Sequence, residues 1–145
     1  MIEIPDNSEH PDASDLNHAA YGRGCEHFDA TNYYMAASEF SKALEYWPED
    51  WQAWFALGNC WDEALKPKKA ESCFRKSLEF SPPEKEPNAY YNLGNSLYDQ
   101  SRYEEAIECF ELVPEDHDLR EKAQKNKELA WNDFQTAEEQ RDADG

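Results

Sequence analysis

One residue pattern recurs three times along this chain and constrains its fold more than any other feature. Glycines occur at Gly24, Gly58 and Gly94, which are 34 and 36 residues apart. Three more sets keep the same two intervals, namely Ala36, Ala70 and Ala106, then Phe40, Phe74 and Phe110, then Tyr33, Pro67 and Tyr103. Self-similarity at a fixed period of this length is typical of an array in which each repeated unit packs on the next.

The middle unit carries the most complete form of the pattern. Its residues are Trp54, Leu57, Gly58 and Trp61, followed by Ala70, Phe74 and Pro82. Because this spacing is the signature of the tetratricopeptide repeat, a helix–turn–helix unit, the chain resembles that family. The resemblance implies an all-α fold in which three such repeats stack as a right-handed superhelix. It also implies a binding scaffold.

The pattern sets the expected domain boundaries. The repeats fall at about 16–48, 49–82 and 87–114, within residues 16–115. The two extra residues of the second interval lie between Pro82 and Pro87, a turn in which an insertion costs little. Pro114 ends the sixth helix about four residues before the repeat pattern would.

A last, long polar helix is expected at 116–140. Its narrow apolar stripe consists of Leu119, Ala123, Ala130, Phe134 and Ala137, with Trp131 at the margin. A repeat array needs a polar-backed end, so this helix is predicted to cap the array. Two alternatives stay open: a degenerate first helix of a fourth repeat, or a helix that dimerises through Trp131 and Phe134.

Charge limits the classes of partner. The net charge is −18, and residues 1–15 contain five acidic residues and no Lys or Arg. We expect residues 1–15 and the tail 141–145 to be disordered. Nucleic acid is an unlikely partner because phosphate binding needs a basic face. A basic or neutral protein or peptide is favoured over an acidic one, although acidity also serves solubility alone.

The sequence indicates a cytoplasmic protein without metal or cofactor. No run of apolar residues is long enough to span a membrane, and the N-terminus does not resemble a secretory signal. The four cysteines, Cys25, Cys60, Cys73 and Cys109, show no metal-binding spacing. We expect reduced thiols that pack as small apolar residues.

No catalytic constellation is recognisable. The four histidines are scattered, and the sequence has no metalloprotease, nucleophile-elbow or phosphate-cradling motif. Adjacent acidic pairs such as Glu104 and Glu105 point in different directions on a helix. The chain is therefore predicted not to be an enzyme.

The resemblance places the candidate site on the concave groove, which the first helix of each repeat lines. The predicted groove residues are Tyr21 and Phe28 (with His18 and Cys25), then Gln52, Phe55, Asn59 and Asp62, then Asn88, Tyr91, Asn95 and Tyr98. Asn59 and Asn95 are equivalent, and each can donate to and accept from a peptide backbone. The alternative is that they only stabilise the helix pair.

One family function is not expected. Some relatives hold an acidic C-terminal tail with a clamp of Lys, Arg and Asn side chains. The matching basic places are Tyr21, Asn88 and Asn92 here, and the clamp asparagines fall on Cys25 and Ala56. A carboxylate would have no cationic partner in this groove.

Taken together, the residues favour a non-enzymatic adaptor that binds an extended peptide or a helix of a partner protein in the groove. The alternative is a structural module that self-associates through exposed aromatics or its last helix. We expect a monomer, with weak self-association as the alternative.

Overall fold

The computed structural model describes residues 12–145, and these form helices and turns. The helices are α1 (Ala13–Asp29), α2 (Tyr33–Tyr46), α3 (Trp51–Glu63), α4 (Pro67–Phe80), α5 (Glu86–Asp99), α6 (Tyr103–Glu111) and α7 (Arg120–Asp144), with a 3-10 turn at Pro83–Lys85 before α5. Helices α1 to α6 form three antiparallel pairs joined by short turns. Within the described range, no helix is both long and apolar enough to cross a membrane.

Helix α1 begins earlier than the charge of its first residues suggested. The Asp12 side chain accepts a hydrogen bond from the Asp15 backbone N–H at 2.9 Å and caps the helix. The expectation of disorder is therefore wrong for residues 12–15. The rest of that segment, residues 1–11, lies outside the described residues.

Each helix pair closes on a glycine. A Cβ atom on Gly24, Gly58 or Gly94 would lie 2.6, 2.5 or 2.5 Å from a ring carbon of Phe40, Phe74 or Phe110, respectively. The three rings are at most 1% exposed. The repeated Gly and Phe are thus the two sides of one contact, in which the absent side chain makes room for the ring.

Successive units are joined by polar contacts as well as by the apolar core. Buried Asn17 on α1 donates to the Ala43 carbonyl at 3.0 Å and to the Asp50 carboxylate at 3.1 Å. The same carboxylate caps α3 by accepting from Gln52 N and Ala53 N. An Asp directly before a helix is a common N-cap, whereas its buried partner Asn17 carries no sequence signal.

Helix α7 runs from Arg120 to Asp144, so the expected bounds of 116–140 are wrong at both ends. Residues 114–119 form turns, in which His117 Nδ1 accepts from the Leu119 N–H at 3.1 Å. At the other end, the Gln140 amide donates to the Asp144 carboxylate at 3.2 Å. The disordered tail predicted at 141–145 is therefore helical through Asp144.

Helix α7 packs on α5 and α6 as the first helix of another unit would. Ala123 and Ala130 are 0% exposed, and each lies 34 residues after a buried residue of α5, Ala89 or Ser96. The face that would receive a partner helix carries Lys127, Glu128 and Trp131 in the places of Leu93, Gly94 and Leu97. Helix α7 thus has the register of a first helix, with charged residues where a partner helix would pack.

The cysteines are free thiols that pack in the core. Cys60, Cys73 and Cys109 are buried, and Cys25 is half-buried. Burial raises the pKa of Cys60 and of Cys73 to about 12, and that of Cys109 to about 11. Because the thiolate is the reactive form, these groups are chemically inert at neutral pH.

Candidate functional site

The predicted site residues lie on one face of α1, α3 and α5, which we call the groove face. Its three equivalent aromatic residues, Tyr21, Phe55 and Tyr91, each pack on the Phe of the paired helix. The ring centroids lie 5.3 Å (Tyr21–Phe40), 5.7 Å (Phe55–Phe74) and 6.0 Å (Tyr91–Phe110) apart. These aromatics are half-buried and pack against the core, so they contribute to folding as well as to the groove face.

The equivalent asparagines link neighbouring helices across this face. Asn59 Oδ1 accepts from the Asn92 amide at 3.0 Å, and Asn95 Oδ1 accepts from the Asn126 amide at 2.9 Å. Among the hydrogen bonds of residues 12–145, the amide N–H groups of Asn59 and Asn95 donate to no protein atom. These bonds join neighbouring units rather than the two helices of one pair, and they occupy the asparagine oxygens while leaving the amide donors available.

Helix α7 covers the end of the groove face that α5 provides. The Asn126 amide also donates to the Tyr91 hydroxyl at 3.2 Å, and the Tyr98 hydroxyl donates to the Asp133 carboxylate. This bond to Asp133 is the main reason that the pKa of Tyr98 is raised to about 12. Sequence reasoning missed Asn126 and Asp133. Their signal was a spacing of 34 residues after Asn92 and Asp99.

A cavity of about 350 Å³, which we call the acidic pocket, opens between α3, α5 and α7. It is lined by Asp62, Asn95, Tyr98, Asp99, Asn126 and Leu129. Burial, together with the charges of Asp99 and Glu63, raises the pKa of Asp62, and partial burial raises that of Asp99. Neither carboxylate has a cationic side chain within 4 Å among residues 12–145. The pocket therefore holds negative charge that the folded chain leaves uncompensated.

A smaller cavity of about 110 Å³, which we call the apolar pocket, lies between α1 and α3. Its lining consists of Cys25, Phe28, Asp29, Phe40, Ala56 and Asn59. The Phe28 ring is held edge-on against Tyr33 at 5.3 Å. Asn59 borders this pocket and Asp62, one turn further along α3, borders the acidic pocket.

Five of the ten predicted groove residues line neither pocket, namely Tyr21, Gln52, Phe55, Asn88 and Tyr91. Gln52 is exposed in the first turn of α3, and Asn88 is half-buried near the start of α5. His18, in the first half of α1, is also exposed and lines neither cavity. The structure thus concentrates the predicted site toward the ends of α3 and α5 that precede the turns to α4 and α6.

Comparison with protein families identifies the repeats directly. Models of the tetratricopeptide repeat match residues 21–85 and 87–113, which together span more than half of the chain. No protein of curated function matches the sequence significantly.

Solved structures with the same fold include two peptide complexes. The TPR2B domain of yeast Sti1, in a complex with an Hsp70 peptide, is 15% identical with a TM-score of 0.74, and the match covers 81% of this chain and 97% of that one. The first TPR domain of Spaghetti (RPAP3), bound to the HSP90 peptide SRMEEVD, is 18% identical with a TM-score of 0.70, covering 80% and 94%. PilF of Pseudomonas aeruginosa is 26% identical with a TM-score of 0.70, covering 85% of this chain and 55% of that one.

Proposed function

This chain belongs to the tetratricopeptide repeat family, and from that premise we propose that it binds an extended peptide of a partner protein across its groove face. The family consists of protein-interaction modules rather than enzymes, so the chain is an interaction module. What the proposal adds is the surface, the ligand conformation and the ligand charge.

The uncompensated charge of the acidic pocket carries the proposal. Asp62, which is half-buried, and Asp99, which is exposed, line one concave site, and among residues 12–145 neither has a cationic side chain within 4 Å. At the position of Asp62, the other two repeats carry the aromatic residues Phe28 and Tyr98. A Lys or Arg side chain of the ligand would supply the missing counter-charge.

The neighbouring features suit the rest of such a peptide. The apolar pocket accepts a small apolar side chain, and the free Asn59 amide donates to a ligand carbonyl between the two pockets. Side chains of an extended strand alternate in direction, so backbone contacts and side-chain pockets can be used together. The preferred ligand is therefore an extended segment that carries both a basic and an apolar residue.

The charge preference is opposite to that of the structural neighbours. The HSP90 peptide in the Spaghetti complex, SRMEEVD, is acidic at its C-terminal end. Neither pocket of the present groove face contains a Lys or Arg side chain. The basic clamp positions are occupied by Tyr21, Asn88 and Asn92. We expect no comparable binding of an acidic tail in this groove.

We further propose that the module acts in the cytoplasm and as a monomer. Its free, buried thiols suit a reducing compartment. The open face of α7 has Lys127 and Glu128 at its centre, and a face with central charges is poorly suited to self-association. Sedimentation velocity across a concentration series tests the second statement, and a concentration-dependent dimer would favour the self-association alternative.

The decisive experiment compares two labelled peptides by fluorescence anisotropy, one alternating Lys with Leu and one alternating Glu with Leu. Wild-type protein is expected to bind the basic peptide through Asp62 and Asp99, whereas any binding of the acidic peptide should not depend on these two residues. The Asp62→Asn, Asp99→Asn double variant should bind the basic peptide about tenfold more weakly or worse. The control is Asp142→Asn with Asp144→Asn, which removes the same charge from the far end of α7 and should leave the affinity unchanged.

Thermal stability separates lost binding from lost folding. Folding raises the pKa of Asp62 and Asp99, so ionising them opposes folding at neutral pH. The double variant should therefore melt above the wild type at pH 7, and the difference should shrink as pH falls and vanish below about pH 3, where both carboxyls are protonated in either state. Equal binding by the groove variant and the control variant would refute the proposed site.

A further inference from the structure

A second surface differs in charge from the groove face, and we infer that it binds an acidic segment of a partner protein that also carries apolar side chains. The surface consists of Leu65, Lys66, Pro67, Lys68 and Lys69, at the turn between α3 and α4 and the first turn of α4. We call it the lysine edge. The inference is independent of the proposed groove ligand.

Comparison between repeats shows that these lysines do not serve the helix. The residues equivalent to Lys68 and Lys69 are Glu104 and Glu105 in the third unit, where acidic side chains face the positive end of the α6 dipole. Lysines at that position are unfavourable because they place positive charge at the positive end of the helix dipole. The second unit therefore carries cations where helix stability favours anions.

Leu65 is a second residue in this surface that does not favour the stability of the fold. Its φ of 60° is in the left-handed region, as are those of the equivalent residues Thr31 (62°) and Ser101 (61°). A branched apolar side chain is disfavoured in this conformation. Leu65 is also 84% exposed, so it contributes no apolar burial in return. Two unfavourable features within the five residues from Leu65 to Lys69 point to a requirement other than stability.

The lysines are also electrostatically free. Among residues 12–145, no carboxylate lies within 4 Å of the amino groups of Lys66, Lys68 or Lys69. Neighbouring Arg102, in contrast, is neutralised by Glu71 at 2.6 Å and by Glu105 at 2.7 Å. The chain has a net charge of −18, yet residues 66–69 carry three cations that have no carboxylate partner in the described part of the chain. They form a local positive patch on an acidic protein.

The shape of the region suits a side chain of the ligand. The lysine edge and the turn between α5 and α6 enclose an open groove of about 530 Å³, completed by Gln100 and Arg102. Lys69 Nζ lies 4.4 Å from the centre of the Trp61 ring, and Trp61 in turn packs edge-on against Tyr34 at 5.9 Å. Tyr34 is 63% exposed. Apolar and cationic groups thus alternate along one continuous surface.

The overall charge distinguishes a protein segment from an anionic membrane. A membrane presents its charge over a wide plane, which would bring the whole −18 molecule against like charge. A short acidic segment senses only the charges within about 8 Å at physiological salt, where the three lysines dominate. Exposed Leu65 supplies an apolar contact to the same segment.

The test uses a labelled peptide of repeating Glu-Glu-Leu and the full chain, again by fluorescence anisotropy. Wild-type protein should bind it, more weakly as salt is raised. The Lys68→Glu, Lys69→Glu variant reproduces the sequence of the third unit at this turn and should bind at least about tenfold more weakly. The change suits the helix dipole but removes the Lys69–Trp61 contact, so wild-type helicity and a cooperative melt of the variant are the measurements that exclude misfolding as the cause of lost binding.

Controls fix the surface and the class of ligand. Lys122→Glu with Lys125→Glu on α7 makes the same change in net charge and should leave binding intact. Leu65→Ser, which installs the residue of the third unit, should weaken binding several-fold. Equal weakening in the α7 variant, or no binding by the wild type, would overturn the inference. So would lysine-dependent binding to phosphatidylserine vesicles without binding to the peptide, since that result would assign the edge to a membrane.

Discussion

Gly22 and Gly24 lie two residues apart on α1 but have opposite surroundings. A Cβ atom on Gly22 would meet no heavy atom within 4 Å, whereas one on Gly24 would lie 2.6 Å from the Phe40 ring. Neither residue has a positive φ, so backbone conformation requires glycine at neither place. Only the close approach of Phe40 does so, and only at Gly24.

This pair gives a prediction at the scale of single residues. Gly22→Ala should stabilise the protein by about 0.5–1 kcal/mol because alanine loses less backbone entropy in a helix. Gly24→Ala should destabilise it by about 1–3 kcal/mol because the Phe40 ring must move. Urea denaturation of both variants measures the two effects. A change of the same sign in both would mean that helix propensity, rather than ring packing, decides the outcome at Gly24.

At the scale of the element, α7 shows what the first helix of a unit becomes without a partner. It keeps the small residues Ala123 and Ala130 on the side that packs on α5 and α6. On the other side, Glu128 replaces the glycine that α3 and α5 carry as Gly58 and Gly94. The aromatic ring of a following helix could not approach Glu128 closely. A further helix could therefore not pack on α7 in the way that α4 packs on α3.

Neighbouring residues of α7 test this arrangement. Ala130→Glu should destabilise the protein by about 3 kcal/mol or more, because it forces a larger, charged side chain into a fully buried site. Leu129→Glu, at a residue that is 54% exposed, should change stability by less than about 0.5 kcal/mol. The two variants are compared by their urea midpoints. Equal midpoints would show that α7 does not pack through Ala130.

What the sequence could predict depends on whether an element repeats a pattern. The contacts of Gly24, Gly58 and Gly94 follow from spacing alone, since the phenylalanines keep the same period. Helix α7 breaks the apolar pattern, so its register, and with it the positions of Asn126 and Asp133, is hidden until the helix is seen packed on α5. The acidic composition of the two ends predicted disorder. In the structure, hydrogen bonds between Asp15 N–H and the Asp12 side chain, and between the Gln140 amide and Asp144, accompany helix in these acidic segments.

At the scale of the whole molecule, the two proposed surfaces have opposite local charge. The groove face leaves Asp62 and Asp99 without cations, and the lysine edge leaves three lysines without anions. Both lie near the ends of α3 and α5, one on the side facing α7 and one at the turn into α4. A basic and an acidic segment would therefore bind close together without competing for the same groups.

The net charge makes a prediction for the molecule as a whole. At −18, mutual repulsion opposes the compact state, and salt screens it. Raising NaCl from about 0.02 to about 0.5 M should raise the melting temperature by roughly 2–5 °C, measured by circular dichroism. Choline chloride should act equally if the effect is screening rather than sodium binding. A fall in melting temperature would show that ion pairs such as Glu71–Arg102 outweigh the repulsion.

The asparagine contacts also fix a length scale. The bond from Asn92 to Asn59 recurs one unit later as the bond from Asn126 to Asn95. If the helices that carry these asparagines are spaced as packed helices are, about 8–10 Å apart, one unit equals about three residues of extended chain at 3.3 Å each. A polyproline helix completes one turn in about the same distance, 9.3 Å. A ligand that follows this ladder therefore meets an equivalent position at every third residue, and a proline-rich segment would keep that period without adjustment.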